Sequence, residues 1–381
     1  MKILIIGTAY PLRGGIAHFN ALLGSHLQKK HVVETITFKR QYPKFLFPGT
    51  TQDETGEHHG EIPAPQLVDS INPLNWLHVA AEVARRKPDL LIFKYWLPFF
   101  GPCFGTIAKF AKKKTGASVI FICDNIIPHE RRPGDVAFTR YAFRHADGFI
   151  VQSDAVERDL LQNFPGSLYR KVPHPVYENF GTALPKESAR VALGISAKKV
   201  MLFFGYVRAY KGLLVLIDAM KLLVDAGMTD CTLLVVGEFY DDETRYRNRV
   251  REVGLEPYVR FISEYVPNDQ VTTYFSAADV VVLPYLSATQ SGIVQIAYNF
   301  DKPVIATDTG GLAEVVVDKK TGLIVQPNSP DALARAIEQF YTENREQEFV
   351  RNVKTEKQKY SWDNLVQNIE SLTTEIQSRK K

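Results

Sequence analysis

Residues Asp279–Gly311 read DVVVLPYLSATQSGIVQIAYNFDKPVIATDTGG, and the rest of the chain organises itself around them. Val280–Leu283 is a short apolar run closed by Pro284, the pattern of a buried parallel strand. Small or amide-bearing residues follow, Ser287, Thr289, Gln290, Ser291 and Gly292, just before a segment of helical character. A helix beginning there aims free backbone N–H groups and a partial positive charge at an anion. A second strand over Pro303–Thr307 ends in Asp308-Thr309-Gly310-Gly311. The stretch therefore predicts strand, loop, helix and strand, with a phosphate site at the carboxyl edge of a sheet. One feature is missing: no Asp or Glu occurs from Val280 to Phe300.

With 381 residues the default expectation is two domains. The composition, 45% hydrophobic and 23% charged, is that of a globular protein without low-complexity blocks. A net charge of +4 is too small to argue for nucleic acid as a partner. Cys103, Cys123 and Cys231 are widely spaced and form no C-x-x-C pair, which predicts a reducing compartment and neither disulfide nor zinc framework. MKILIIGTAYP reads as a first strand, since its apolar run is too short for a signal peptide. No apolar run of about 18 residues is present, so the expectation is a cytoplasmic protein.

From the N-terminus, Lys2–Ile6 reads as a buried strand, Gly7–Gly15 as a loop and Ile16–Leu27 as a helix, the opening unit of a doubly wound α/β domain. The G-x-G-x-x-G fingerprint is not met, and the second strand, Val32–Phe38, ends in Lys39-Arg40 where a dinucleotide domain usually places an acid. Residues Gln41–Pro73 have no clear period and read as a long loop. A helix over Leu74–Arg86 and a strand over Pro88–Phe93 come next. Tyr95–Lys114 sets aromatics beside a lysine cluster, which suits peripheral membrane contact or a core helix with a solvated basic end. Ser118–Ile122 is a strand ending in Cys123-Asp124-Asn125. A helix over Thr139–Ala146, a strand over Gly148–Val151 and a helix over Ser153–Asn163 precede a linker, Tyr177–Lys198.

The pattern then restarts. Lys199–Phe204 is a strand, Gly205–Gly212 a glycine-bounded loop and Leu213–Asp225 an amphipathic helix. Cys231–Val236 is a strand ending in Gly237-Glu238, and Asn268–Ala277 a helix with Asn268 as its cap. Asp241-Asp242 resembles a metal pair, but at the start of a polar helix it reads as a cap and dipole partner. The last helix covers about Trp362–Ile376. Boundaries at 1–180, 181–360 and 361–381 follow. Ligands of such sheets bind at the carboxyl ends of the strands, so a cleft between two facing domains is the default site.

Four stretches now carry a resemblance: Pro11–His18 (PLRGGIAH), Phe204–Ala219 (FGYVRAYKGLLVLIDA), Ala277–Pro284 (AADVVVLP) with Lys302–Thr307 and Gly310–Val315, and Thr321-Gly322-Leu323 with Tyr360-Ser361-Trp362. In this order the chain resembles the retaining glycosyltransferases of the GT-B fold, family 4, over nearly its whole length. The resemblance implies two Rossmann-like domains, a hexosyl group moved from a nucleotide-sugar donor to a hydroxyl acceptor with retention, no bound metal and no cofactor beyond the nucleotide sugar. It also implies that the last helix crosses back to the N-terminal domain.

Arg208 and Lys211 are the candidates for stabilising the departing diphosphate, because Arg offers a planar two-pronged donor and Lys a compact charge. Gly14 and Gly15 let the backbone approach donor and acceptor closely. Glu238, Thr289, Gln290, Ser291, Gly292 and Ile293 complete the donor-binding set, with the polar mouth of a loop as the other reading of Glu238. The family's paired glutamates are absent: their positions fall at Thr289 and at Ala297 or Ile296, and Gln295 is the nearby polar residue. The family often has a histidine near the reacting sugar where this chain has Asp124, a carboxylate able to orient a hydroxyl or stabilise an oxocarbenium-like charge. His129, five residues on, is a substitute polar contact. His18 and His174 stand in family-like settings, and His174 between prolines reads as a structural turn. Two rival readings remain, a nucleotide-sugar epimerase or hydrolase on the same fold and a non-catalytic nucleotide-binding partner subunit.

Overall fold

The computed structural model of the chain describes residues 1–43, 52–53, 64–127 and 133–380. The chain divides into two compact units: Met1–Pro175 with Ser361–Lys381, and Val176–Tyr360. Each holds one parallel sheet flanked by helices.

In the first unit the strands are β1 (Lys2–Ile6), β2 (Val32–Arg40), β3 (Gln66–Asp69), β4 (Leu90–Tyr95), β5 (Ser118–Cys123), β6 (Gly148–Val151) and β7 (Tyr169–Lys171). The helices are α1 (Gly15–Gln28), α2 (Pro73–Arg86), α3 (Gly101–Thr115), α4 (Asp135–Phe143) and α5 (Asp154–Asn163), and the chain returns at its end as α14 (Trp362–Lys380). The strand order β3-β2-β1-β4-β5-β6-β7 reverses between β1 and β4. β1, β4, β5 and β6 are almost wholly buried apolar runs, as strands covered on both faces must be. α14 joins this unit through Trp362, Leu365, Ile369, Leu372 and Ile376, all buried; Trp362 lies 5.2 Å from Phe19, and a Cβ on Gly148 would touch Ile376 and Leu372 at 3.0–3.2 Å.

In the second unit the strands are β8 (Lys199–Phe204), β9 (Cys231–Val236), β10 (Val259–Ile262), β11 (Val280–Leu283), β12 (Val304–Thr307) and β13 (Gly322–Val325), in the order β10-β9-β8-β11-β12-β13. Its helices are α6 (Lys186–Ala192), α7 (Leu213–Asp225), α8 (Glu243–Glu252), α9 (Asn268–Ala277), α10 (Gly292–Asn299), α11 (Leu312–Val315), α12 (Pro330–Thr342) and α13 (Glu346–Glu356). The order reverses between β8 and β11, the topological switch point at which such sheets bind ligands.

Several local expectations change. β3 lies inside the stretch read as a long loop, held by Asn75 through the Asp69 N–H (2.7 Å) and the Leu67 carbonyl (3.0 Å). α6 lies inside the predicted linker, anchored by Arg190 and Lys186 on the buried carboxylate Asp279 (2.7 Å each). Asn268 is not the cap of α9: Pro267 takes that position and no side chain caps it. Asp242 does cap α8, accepting from the Thr244 N–H at 3.0 Å. In Tyr95–Lys114 the aromatics Tyr95, Phe100 and Phe104 are fully buried, because α3 packs them into the core; only Lys109, Lys113 and Lys114 reach solvent fully. Among the described residues no helix is long and apolar enough to cross a membrane.

Candidate functional site

The carboxyl edge of the second sheet is drawn together by three close backbone approaches. Gly212, at φ +69°, sits where a Cβ would lie 1.9 Å from the Pro284 carbonyl oxygen. Gly237 lies where a Cβ would meet the Gly205 carbonyl oxygen at 2.4 Å, and Gly310 where one would meet the Ala288 oxygen at 1.6 Å. The loops after β8, β9, β11 and β12 therefore interlock at positions that tolerate no side chain.

Into this edge the loop after β8 brings Arg208 and Lys211. Lys211 is only 8% exposed, and a Cβ on Gly205 would sit 3.1 Å from both its Nζ and the Ile293 Cδ1. The ammonium thus lies against the first turn of α10. Among the described residues no carboxylate pairs with Lys211 or Arg208, and an aromatic ring lies beside each. The Lys211 Nζ is 5.6 Å from the Tyr285 ring, and the Arg208 guanidinium 5.0 Å from the Tyr240 ring, which stacks on Tyr206 at 4.5 Å. Burial, with Arg208 adding like-charge repulsion, pulls the Lys211 ammonium down to about 7.

Ser291 caps α10: its hydroxyl oxygen accepts from the Ile293 N–H at 3.3 Å, and Tyr285 Oη lies 3.4 Å from it. The first turn of α10 holds no acid. The Thr289 carbonyl accepts from the Gly311 N–H at 3.1 Å, so Thr289, Gln290, Ser291 and Gly292 lie in the interlocked loop and its helix start. Glu238, 7% exposed, follows β9, and its carbonyl accepts from the Val207 N–H at 2.9 Å. Arg208, Lys211, Glu238 and Thr289–Ile293 thus share one sheet edge. Gln295 is 1% exposed with its Oε1 unpartnered among the described residues, and Ile296 and Ala297 are buried. α10 therefore supplies N–H groups and a cap, and no carboxylate. Tyr285, Tyr240 and Tyr206 were not predicted; aromatic residues beside both loop cations were the available signal.

The remaining predicted residues belong to the first unit. Gly14 caps α1 at φ +105°, and its carbonyl accepts from Ala17 and His18; Gly15 opens the helix. Asp124 follows β5, 7% exposed, with one carboxylate oxygen 2.6 Å from Lys94 Nζ. His129 lies outside the described residues. His174 is buried, with its Nδ1–H donating to the Pro175 carbonyl at 2.7 Å and Phe19 edge-on at 5.1 Å. Burial and the Lys94 charge lower it to about 3, so it stays neutral; the chain around it is irregular and forms no turn. A cavity of about 610 Å³ lined by Arg140, Phe143, Arg144, Phe149, Phe164 and Arg379 opens at the amino edge of this sheet and touches none of these residues.

Residues 198–343, which span β8 to α12, match the family model described as glycosyl transferases group 1. A D-inositol 3-phosphate glycosyltransferase of Corynebacterium urealyticum is 31% identical over 243 residues, 60% of this chain and 56% of that protein. The chain spans little more than half the length of the curated relatives it matches. Among solved structures, sucrose-phosphate synthase from Thermosynechococcus elongatus superposes with a TM-score of 0.77 at 19% identity, covering 100% of both chains. Anabaena HepE in complex with UDP gives 0.76 at 20% identity, covering 98% of this chain and 100% of that one. These likenesses establish the class of fold: α/β, with two Rossmann-like domains of the GT-B type. Within it, the segment carrying Arg208, Lys211 and α10 is the part that matches the group 1 glycosyl transferase model, and the curated relatives it resembles are named glycosyltransferases.

Proposed function

We propose that the protein is a retaining glycosyltransferase that moves a hexosyl group from a nucleotide-sugar donor to a hydroxyl acceptor. The observation that carries this reading is Lys211: a buried ammonium with no carboxylate paired to it among the described residues, at a glycine-locked edge next to Arg208 and the start of α10. An unpaired buried cation is costly in the free protein and is offset when an anion arrives. A diphosphate fits, since it accepts from Lys211, from the Arg208 fork and from the first-turn N–H groups of α10.

The same contacts supply the chemistry. As the bond between the anomeric carbon and the phosphate oxygen breaks, negative charge gathers on the diphosphate, where Arg208, Lys211 and the helix start await it. The acceptor oxygen bonds to the anomeric carbon on the face the diphosphate leaves, and its proton passes to the departing phosphate oxygen. This front-side route retains configuration and needs no carboxylate nucleophile, which suits the acid-free stretch Val280–Phe300. In this reading the protein's own cations meet the charge that a metal ion meets elsewhere. HepE is a structural neighbour solved with UDP-glucose, so uridine nucleotides are the first to test. We place the reaction in the cytoplasm; a lipid-linked acceptor at the membrane face would meet Lys109, Lys113 and Lys114.

The test is a panel of UDP-glucose, UDP-galactose, UDP-N-acetylglucosamine, UDP-glucuronate and GDP-mannose, with nucleotide release measured with and without a mixture of sugar and lipid-linked acceptors. Acceptor-dependent release from one donor, with the anomeric configuration kept in the product, supports the proposal. Release that ignores acceptor supports a hydrolase, and binding without any release supports the non-catalytic subunit.

A further inference from the structure

The first unit buries a lysine inside a strand. Lys94 is the fifth residue of β4, LLIFKY, and is 1% exposed beside the switch point of its sheet. All three of its N–H directions are occupied. The Nζ donates to Asp124 Oδ1 at 2.6 Å and to Gln152 Oε1 at 2.9 Å, and sits 3.6 Å from the centre of the Phe19 ring. Strands β4 and β5 and the residue after β6 thus converge on one ammonium, with α1 closing the fourth side.

This arrangement is not explained by stability. A buried ion pair is commonly no better than apolar residues of similar volume. The surroundings add cost: Gln152 turns its Oε1 to Lys94 and leaves its Nε2 unpartnered among the described residues, and Thr8 Oγ1 and Asn20 Oδ1 nearby are likewise unpartnered. Burial pushes the Asp124 carboxyl up and the Lys94 ammonium down, and each opposes the other's shift. What the arrangement achieves is geometric. Asp124 follows β5 at the carboxyl edge, where ligands of open parallel sheets bind, and its carboxylate is held there by a cation that has no other acidic partner among the described residues.

We propose that Lys94 is a positioning residue for sugar transfer, fixing Asp124 as an oriented carboxylate that contacts a hydroxyl of the bound sugar or acceptor. Gln152 and the Phe19 ring steer Lys94 and act one step further out. The proposal rests on the glycosyltransferase reading and extends it to a residue outside the nucleotide-binding segment.

A double-mutant cycle tests it on the full chain, with UDP affinity, melting temperature and kcat for UDP release from the sugar nucleotide the wild type turns over fastest. Asp124→Asn should lower kcat roughly a hundredfold and leave UDP affinity within about twofold. Lys94→Met should lower kcat comparably. The double variant Lys94→Met/Asp124→Asn, which removes the stranded carboxylate and so remains folded if Lys94→Met does not, should be no slower than Asp124→Asn alone. Recovery of kcat in the double variant along with its melting temperature would make the pair purely structural and overturn the proposal. So would multiplicative losses, or an Asp124→Asn variant as fast as wild type. A wild type that neither binds UDP nor turns over any sugar nucleotide contradicts the underlying reading instead, and the proposal with it.

Discussion

Lys211 sets two opposed demands against each other. In the free protein its ammonium is buried beside Arg208 with no carboxylate paired to it among the described residues, a destabilising placement that the proposed diphosphate would turn into a favourable one. Lys211→Met should therefore raise the melting temperature of the ligand-free protein by about 2–4 °C, equivalent to about 1 kcal/mol, while UDP affinity falls by about tenfold or more. Scanning calorimetry and a UDP titration check both. The pH dependence has a defined sign. The folded value of about 7 lies below the ordinary 10.5, so the unfolded chain holds this proton more tightly, and the free protein gains stability as pH climbs through that interval. A diphosphate favours the charged form, so UDP binding should take up a proton above pH 7 and weaken from there towards pH 9. Calorimetry in buffers of different ionisation enthalpy reads the uptake directly. Both cations were legible as residue types three apart in a glycine-bounded loop. The burial of Lys211 was not, because it depends on Ile293, more than eighty positions away, closing over Gly205. Lys94 was missed for the opposite reason: the apolar run stops at Phe93, whereas the strand continues through Lys94 to Tyr95.

The loops after β8 and β11 act together as one element. Gly212→Ala would place a methyl group against the Pro284 carbonyl in a left-handed backbone, so it should cost about 2–4 kcal/mol and abolish UDP binding. Ser291→Ala removes the cap of α10 and should cost about 1 kcal/mol, whereas Ser291→Gly should cost only a few tenths. Chemical denaturation of both variants reads the difference. At this scale the sequence was most informative where hydrophobic period and punctuation agree. Val280–Leu283 closed by Pro284, and the run of small residues before Gly292, announce strand and helix start by local chemistry alone. β3 and α6 were hidden because tertiary partners specify them. Asn75 holds β3 from the following helix, and α6 is fastened by Asp279, just before β11 and about ninety residues later. Asn268 looked like a cap by residue type, but Pro267 takes the capping position and the helix begins at Asn268 itself.

On the scale of the molecule, the chain builds its first unit from both ends, with α14 completing it through Trp362 and the contacts of Leu372 and Ile376 on Gly148. Truncation after Tyr360 should therefore expose that apolar surface and destabilise residues 1–175, seen as a lost or lowered transition in calorimetry. Val176–Tyr360 keeps its own sheet and core and should still bind UDP. The two-sheet plan was legible because strand, glycine loop and helix recur in order. The donor's identity was not, because no Asp or Glu occurs from Val280 to Phe300, and residues 287–291 before α10 offer only small and amide-bearing side chains. The proposed diphosphate site is built on Arg208, Lys211 and the start of α10. Its most direct test is calorimetric titration of UDP into the full chain and into an Arg208→Ala/Lys211→Met variant that melts at or above the wild-type temperature. The wild type should bind saturably, with proton uptake above pH 7, and the variant should show no detectable binding. Equal binding to both, or none to a folded wild type by UDP, GDP or ADP, would contradict the proposed site.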